Sequence, residues 1–225
     1  MGTILKLEDL CYGYIDGGYK RQILKSLSYD FEEGRFYTIL GPSGSGKTTL
    51  LSIIAGLDTA ESGHVYFEGE DIMKMGLNKY RRNKIGVVFQ QYNLINYLTG
   101  IENIDLAMTE TDNPIPKNKR EVGYALLGKV GIVKSKADRI VTHLSGGEQQ
   151  RIAIARAIAG NVDLIFADEP TGNLDTATEA EIIRIFRMLT EVFGKTVIVV
   201  THSNVVSKFA DHRLLLNEGK LKEIL

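Results

Sequence analysis

One stretch, Gly41-Pro42-Ser43-Gly44-Ser45-Gly46-Lys47-Thr48, restricts the possible folds of this chain more than any other. It matches G-x-x-x-x-G-K-[ST] at every required position, and that pattern works between a buried strand and a helix. Both flanks are present. The apolar run Phe36-Tyr37-Thr38-Ile39-Leu40 precedes the loop, and Thr49-Leu50-Leu51-Ser52-Ile53-Ile54-Ala55 follows with helical character. Glycines let the backbone curl around a polyphosphate so that several N–H groups face its oxygens. The helix N-terminus adds partial positive charge. On this reading Gly41, Ser43, Gly44, Ser45, Gly46 and Thr49 cradle the phosphates. Lys47 reaches the β and γ phosphates, and the Thr48 hydroxyl ligates Mg²⁺. The plainer alternative is a glycine-rich turn that only caps a helix.

Composition narrows the rest. The 225 residues are 44% hydrophobic and 24% charged, which suits one compact unit of one or two lobes. The net charge of −1, from 27 basic and 28 acidic residues, argues against nucleic acid as the main partner. No apolar run approaches the roughly 20 residues of a membrane span. Met1-Gly2-Thr3-Ile4-Leu5-Lys6 has no signal-peptide core, and Lys6 breaks the myristoylation pattern. The lone Cys11 excludes an internal disulfide and fits a reducing compartment. The expectation is a cytoplasmic chain whose membrane role, if any, comes through a partner.

Along the chain, residues 3–38 alternate short strand-like segments with turns at Asp16-Gly17-Gly18 and Glu32-Glu33-Gly34. Gly56 suits the end of the helix after the glycine loop. Residues 63–68 and 85–89 read as strands. From 91 to 143 polar helical stretches appear (101–108 and 120–130), separated by a proline-containing polar segment, and predict a helical subdomain inserted into an α/β core of residues 1–90 and 144–225. The core resumes with helix 146–159, strand 164–167, helix 176–193, strand 196–201 and a closing hairpin around Asn217-Glu218-Gly219.

Leu164-Ile165-Phe166-Ala167-Asp168-Glu169 is an apolar strand ending in two acids. Alternation along a strand points them in different directions. Asp168 then suits Mg²⁺ and Glu169 an attacking water. Pro170 biases Glu169 toward an extended backbone. A solvated strand end followed by a turn is the rival. Ser145-Gly146-Gly147-Glu148 opens a helix apolar nearly all round, with Ser145 and Glu148 spaced as a capping box and Gly160 at its end. Two glycines in a first helical turn cost up to about 1 kcal/mol each. They make sense if a ligand approaches the backbone closely, which gives a second phosphate site for another molecule's nucleotide.

In these motifs, taken in order, the whole chain resembles an ATP-binding-cassette (ABC) transporter ATPase subunit. Residues 41–48 resemble its Walker A motif, 144–148 its signature motif, and 164–169 its Walker B motif with the catalytic glutamate, Glu169. Gln90 matches the glutamine that senses Mg²⁺ and the attacking water. Asp175 matches the aspartate that communicates across a dimer, although it also suits a cap for helix 176–193. His202 matches the histidine that holds the γ-phosphate. Tyr14 fits the aromatic that stacks on adenine, with Tyr12 as its rival. The implied fold is an α/β phosphate-loop NTPase core, a mixed and mainly parallel sheet with flanking helices, plus an N-terminal antiparallel β part and the helical insertion.

The segment Ser-Gly-Gly-Glu-Gln-Gln-Arg at 145–151, with Phe89-Gln90-Gln91-Tyr92-Asn93-Leu94, resembles the branch of macrolide exporters, lipoprotein-release systems and antimicrobial-peptide transporters. Glutamine is common where Glu148 stands. A carboxylate there suits a cap better than a phosphate ligand, because two anions repel. The resemblance implies ATP and Mg²⁺ as ligands and a second copy of the chain as partner, two ATPs lying between Lys47 of one copy and Ser145-Gly146-Gly147 of the other. It also implies a transmembrane permease that holds the chain at the inner face of the membrane. Gln91, Tyr92, Leu94, Ile95, Tyr97 and Leu98 are the candidate docking face, with a helical-subdomain core as the alternative. A soluble ABC-type ATPase of DNA repair or chromosome maintenance is the rival function. The chain lacks the long heptads or zinc-bearing insertions of those proteins.

Overall fold

The computed structural model describes residues 2–17 and 19–224. In chain order its first half comprises β1 (Thr3–Asp16), β2 (Tyr19–Glu32), β3 (Phe36–Leu40), α1 (Lys47–Ile54), β4 (Ser62–Phe67), β5 (Glu70–Asp71), α2 (Ile72–Met75), α3 (Leu77–Asn83) and β6 (Ile85–Val88). There follow α4 (Gly100–Glu110), α5 (Lys119–Lys129), α6 (Lys134–Ala137), α7 (Gly146–Ala159), β7 (Leu164–Asp168), α8 (Thr176–Glu191), β8 (Thr196–Val200), α9 (Asn204–Ser207), β9 (His212–Asn217) and β10 (Lys220–Ile224).

Two sheets result. The order β10-β9-β3-β8-β7-β6 is parallel throughout except for the β10 edge. The order β2-β1-β4-β5 is antiparallel. This is the mixed, mainly parallel core with an N-terminal antiparallel part that the family resemblance implies. Strand β8, Thr-Val-Ile-Val-Val, is buried at every position, as a parallel strand covered on both faces must be. Successive residues serve opposite cores. Ile165, Ala167, Val197 and Val199 face α4, α7 and α8. Leu164, Phe166, Ile198 and Val200 face α1 and the antiparallel sheet.

Residues 3–32 form two strands of 14 residues each, not a series of short ones. The reason lies in bulges. Register shifts fall between Leu7 and Leu10 and again before Tyr12, and Asp9 and Ser26 both take φ near 49°. A bulge slips the two-residue alternation, so buried Leu5 and Leu7 are followed by buried Leu10. In sequence such a slip looks like a strand end. Gly18 of the expected turn lies outside the described residues. At the other end the closing hairpin turns through Glu218 and Gly219, both with positive φ, as a two-residue hairpin loop requires.

Helix α1 ends in a Schellman motif: the Leu57 N–H donates to Ser52 and the Gly56 N–H to Ile53, with Gly56 at φ 64°. Helix α7 ends at Gly160, but Gly160 has φ −75° and Asn161 takes the left-handed turn at φ 52°. Among the described residues, 91–143 holds three helices, a short 3-10 turn and a single bridge between Thr99 and Ile140. Its apolar side chains Ile101, Ile104, Met108 and Leu127 join Ile152 and Ile154 of α7 in one cluster.

Helix α7 lies against β6 at its tightest point over Gly86. A Cβ there would stand 2.2 Å from the Ala157 carbonyl oxygen, a backbone atom that cannot swing aside. Gly86→Ala is expected to destabilise the chain by about 2 kcal/mol. The melting temperature should fall by about 5 °C in a thermal scan.

Candidate active site

The glycine loop leaves the end of β3 and enters α1 through Gly46, which takes φ 96°, while Gly44 takes φ 75°. Both conformations belong to glycine. A Cβ on Gly46 would also meet the Ile23 side chain at 2.4 Å. Gly46 is the N-cap of α1 and makes no side-chain capping bond, which leaves the first N–H groups of the helix facing the loop. Lys47 is nearly buried and donates to the carbonyl oxygens of Gly41 at 2.9 Å and Pro42 at 3.1 Å. Its ammonium therefore bridges the first residues of the loop. The Ser45 hydroxyl oxygen is buried without a partner, turned toward Gly41.

Thr48 donates to Asp168 Oδ1 across 3.4 Å, joining the first turn of α1 to the end of β7. Burial pushes the Asp168 carboxyl up. The Thr48 hydrogen bond lowers it, the Glu169 charge raises it further, and Lys47 lowers it. A hydroxyl and a carboxylate are hard oxygen donors of the kind a small divalent cation takes while sharing phosphate oxygens and water. No three His, Cys, Asp or Glu converge as a metal cage among the described residues, so the protein supplies only part of such a shell.

Glu169 diverges from Asp168, as alternation predicts, but by a different route. Its backbone is left-handed at φ 43°, not extended. Strand β7 ends at Asp168, and the chain must turn at once, with the Gly172 N–H donating to the Glu169 carbonyl. This outweighs the bias of Pro170. The carboxylate accepts from the Thr201 hydroxyl at 3.1 Å and the His202 N–H at 3.3 Å, and its other oxygen lies 2.9 Å from His202 Nδ1. The His202 ring is largely exposed over a mostly buried Glu169.

Tyr14, Ile23, Ser43, Gly44, Gly46, Lys47, Thr48, Thr49 and Glu169 line one cleft of about 340 Å³. Tyr12 is turned away and donates to Asp58. Gln90 is not brought to Thr48 or Asp168; it donates to Asn173 Oδ1 at 3.3 Å. Asp175 caps α8 through the N–H groups of Ala177 and Thr178, and the Thr178 hydroxyl holds its carboxyl low.

At α7 the capping box is complete in both directions between Ser145 and Glu148. Ser145 accepts the Glu148 N–H, which leaves its own hydroxyl proton free to donate. The two glycines have a reason within the chain that spacing alone does not reveal. A Cβ on Gly146 would lie 2.7 Å from the Tyr92 hydroxyl, and one on Gly147 would lie 2.5 Å from the Thr178 methyl. Of the candidate docking face, Leu94 belongs to the core and Tyr97 stands exposed. Ile23 and Thr201 join the site with no signal in the sequence. Nothing in a strand residue or in the threonine before a histidine marks it as part of a site.

A strand, glycine loop and helix, with a carboxylate delivered from a parallel strand to the loop threonine, define a phosphate-loop nucleoside triphosphatase. A family profile described as "ABC transporter" matches residues 24–172. YclH, an uncharacterized ABC transporter ATP-binding protein of Bacillus subtilis, is 40% identical over 96% of this chain and 95% of its own. The macrolide export ATP-binding/permease protein MacB of Syntrophobacter fumaroxidans is 38% identical over 97% of this chain and 31% of its own length. A dimeric structure of the cassette MJ0796, from Methanocaldococcus jannaschii, superposes with a TM-score of 0.89 at 38% identity, covering 98% of this chain and 97% of that one. A post-hydrolysis state of the same cassette, bound to ADP and Pi, gives 0.88 at the same identity and coverage. The chain belongs to the ABC transporter family, as an ATP-hydrolysing, nucleotide-binding component. These relatives disfavour the chromosome-maintenance alternative. No helix among the described residues is long and apolar enough to cross a membrane.

Glu148 makes the start of α7 sensitive to acid. The Lys136 hydrogen bond and the Ser145 N–H hold its carboxyl below the ordinary 4.5. A depressed carboxyl contributes stability above the ordinary value and loses it as pH falls through the folded one. In urea unfolding near pH 7 the chain should exceed Glu148→Gln by about 1 kcal/mol. That difference should shrink as pH drops below 4.5.

Proposed function

We propose that two copies of this chain close head to tail on two ATP molecules, and that reopening after hydrolysis drives a transmembrane permease. The observation that carries the reading is the single cleft edge at which Lys47, Thr48 and Asp168 meet the Glu169–Thr201–His202 cluster. Lys47 exchanges its two loop carbonyls for the β and γ phosphates. Thr48 and Asp168 hold Mg²⁺, which neutralises phosphate charge when bound. Glu169 takes a proton from the attacking water. Thr201 and His202 fix the direction of that carboxylate, and His202 turns its exposed ring to the γ-phosphate. Gln90, held by Asn173 beside the turn that follows Glu169, leaves Asn173 to reach the water and cation. Tyr14 stacks on adenine over the cleft.

Ser145, Gly146 and Gly147 complete the partner's site. The unused hydroxyl proton of Ser145 and the first N–H groups of α7 suit a γ-phosphate. Asp175 acts at the same interface while capping α8. Closure excludes bulk water and completes the shell of charge around the phosphates. The helical stretch 91–143 acts as the subdomain that meets the permease, with exposed Tyr97 at the contact, and the permease keeps the chain peripheral on the inner face of the membrane. The dimeric MJ0796 cassettes and the ATP-binding/permease chain of MacB support both halves of this reading.

Glu169→Gln should retain ATP binding and lower turnover about 10²-fold or more in a phosphate-release assay; unchanged turnover would remove Glu169 from the chemistry. Lys47→Ala and Ser145→Arg subunits should each be nearly inactive alone. Mixed, they rebuild one intact composite site per heterodimer, so activity should rise well above the sum of the two. Mixing without gain would mean that each monomer carries a self-contained site.

A further inference from the structure

Two adjacent residues after Gln90, Tyr92 and Asn93, take left-handed backbones with φ 60° and 49°. Residues with a Cβ avoid this region, and consecutive pairs are rarer still. Local backbone bonds account for part of the turn: the Tyr92 N–H donates to Phe89 and the Asn93 N–H to Gln91. The remaining partner comes from α7. Arg156 donates through Nη1 to the Asn93 carbonyl at 2.5 Å and through Nη2 to the Tyr92 carbonyl at 3.1 Å. The two prongs of one planar guanidinium thus hold the two strained carbonyls. Burial lowers the pKa of this guanidinium, and among the described residues no carboxylate forms an ion pair with it. A half-buried cation spent on two loop carbonyls has no role in pairing charge.

The same turn touches α7 a second time. The Tyr92 hydroxyl lies 2.7 Å from where a Cβ on Gly146 would stand, at the other end of the helix. Helical side chains lean toward the N-terminus, so Arg156 reaches back along α7 toward this contact. Residues 92 and 93 are therefore clamped at two points of one helix, and that helix begins with Ser145, Gly146 and Gly147.

We infer that Arg156 is a positioning residue that locks the turn carrying Gln90 to α7, so that Gln90 at one nucleotide and the Ser145–Gly147 terminus at the other move as a single body. The inference rests on the function proposed above and adds a mechanical link between the two half-sites. Arg156 touches no nucleotide in this scheme; it acts through Gln90.

A double-mutant cycle tests it, with steady-state ATPase assays on the full chain and its Gln90→Ala, Arg156→Met and doubly substituted forms. Arg156→Met should lower kcat by about tenfold with KM within about twofold. Arg156→Lys, which keeps the charge but not the fork, should recover part of the loss. The double variant should be no slower than Gln90→Ala by more than about twofold, because both changes break one linkage. Multiplied losses, or a lowered melting temperature with kcat intact, would overturn the link while leaving the proposed function in place. If Gln90→Ala alone turns over normally, the role given to Gln90 falls, and the link falls with it.

Discussion

The site depends on one register. Val200 of β8 pairs with Ile39 on one side and Asp168 on the other. Parallel strands locked this way end together. The residues that follow each strand, the glycine loop after β3, Glu169 after β7, and Thr201 and His202 after β8, emerge at one carboxyl edge. A slip of one residue in either pairing would exchange the two faces of a strand. It would turn Ile198 and Val200 into the wrong core and carry Glu169 away from Thr201. The alternating sorting of Leu164 to Ala167 between two apolar clusters therefore holds the chemical groups in alignment.

That edge explains why much of the candidate site is legible in the sequence. Each functional group on it directly follows a continuous apolar run, and such a run followed by glycines, by paired acids or by Thr-His is a local signal. The positions of the core helices and of the closing hairpin follow from the same local patterns, whereas the division of the strands into two sheets follows from the resemblance alone. Contacts between distant segments left no such signal. Ile23 reaches the loop from β2, and the bulges at Asp9 and Ser26 disguise two long strands as several short ones. Glu169 shows local preference overruled by the immediate turn to Gly172.

Gly146 and Gly147 carry a different lesson. Their cost in a helix invites a ligand as explanation, yet Tyr92 and Thr178 already fill the space their side chains would need. The packing explanation stands on these contacts, and the ligand explanation, which belongs to the proposed function, is compatible with it. A helix start stripped of side chains can pack closely against its own chain and still leave its first N–H groups without side-chain cover. Arg156 is likewise invisible in sequence, because an arginine in a helix amid alanines and isoleucines reads as a surface residue. Only its pairing with carbonyls sixty-odd positions away makes it part of the loop.

Lys47 gives the loop a property that concerns departure more than arrival. Its ammonium rests on the Gly41 and Pro42 carbonyls. A nearly buried cation stripped of all acceptors would cling to whatever anion it last held, because an unmade hydrogen bond in such a place is costly. Here the acceptors wait one loop-width away. On the proposed function, the lysine would return to these two carbonyls when a spent anion leaves. Those waiting acceptors would lower the cost of letting the anion go and so favour a return to the starting state.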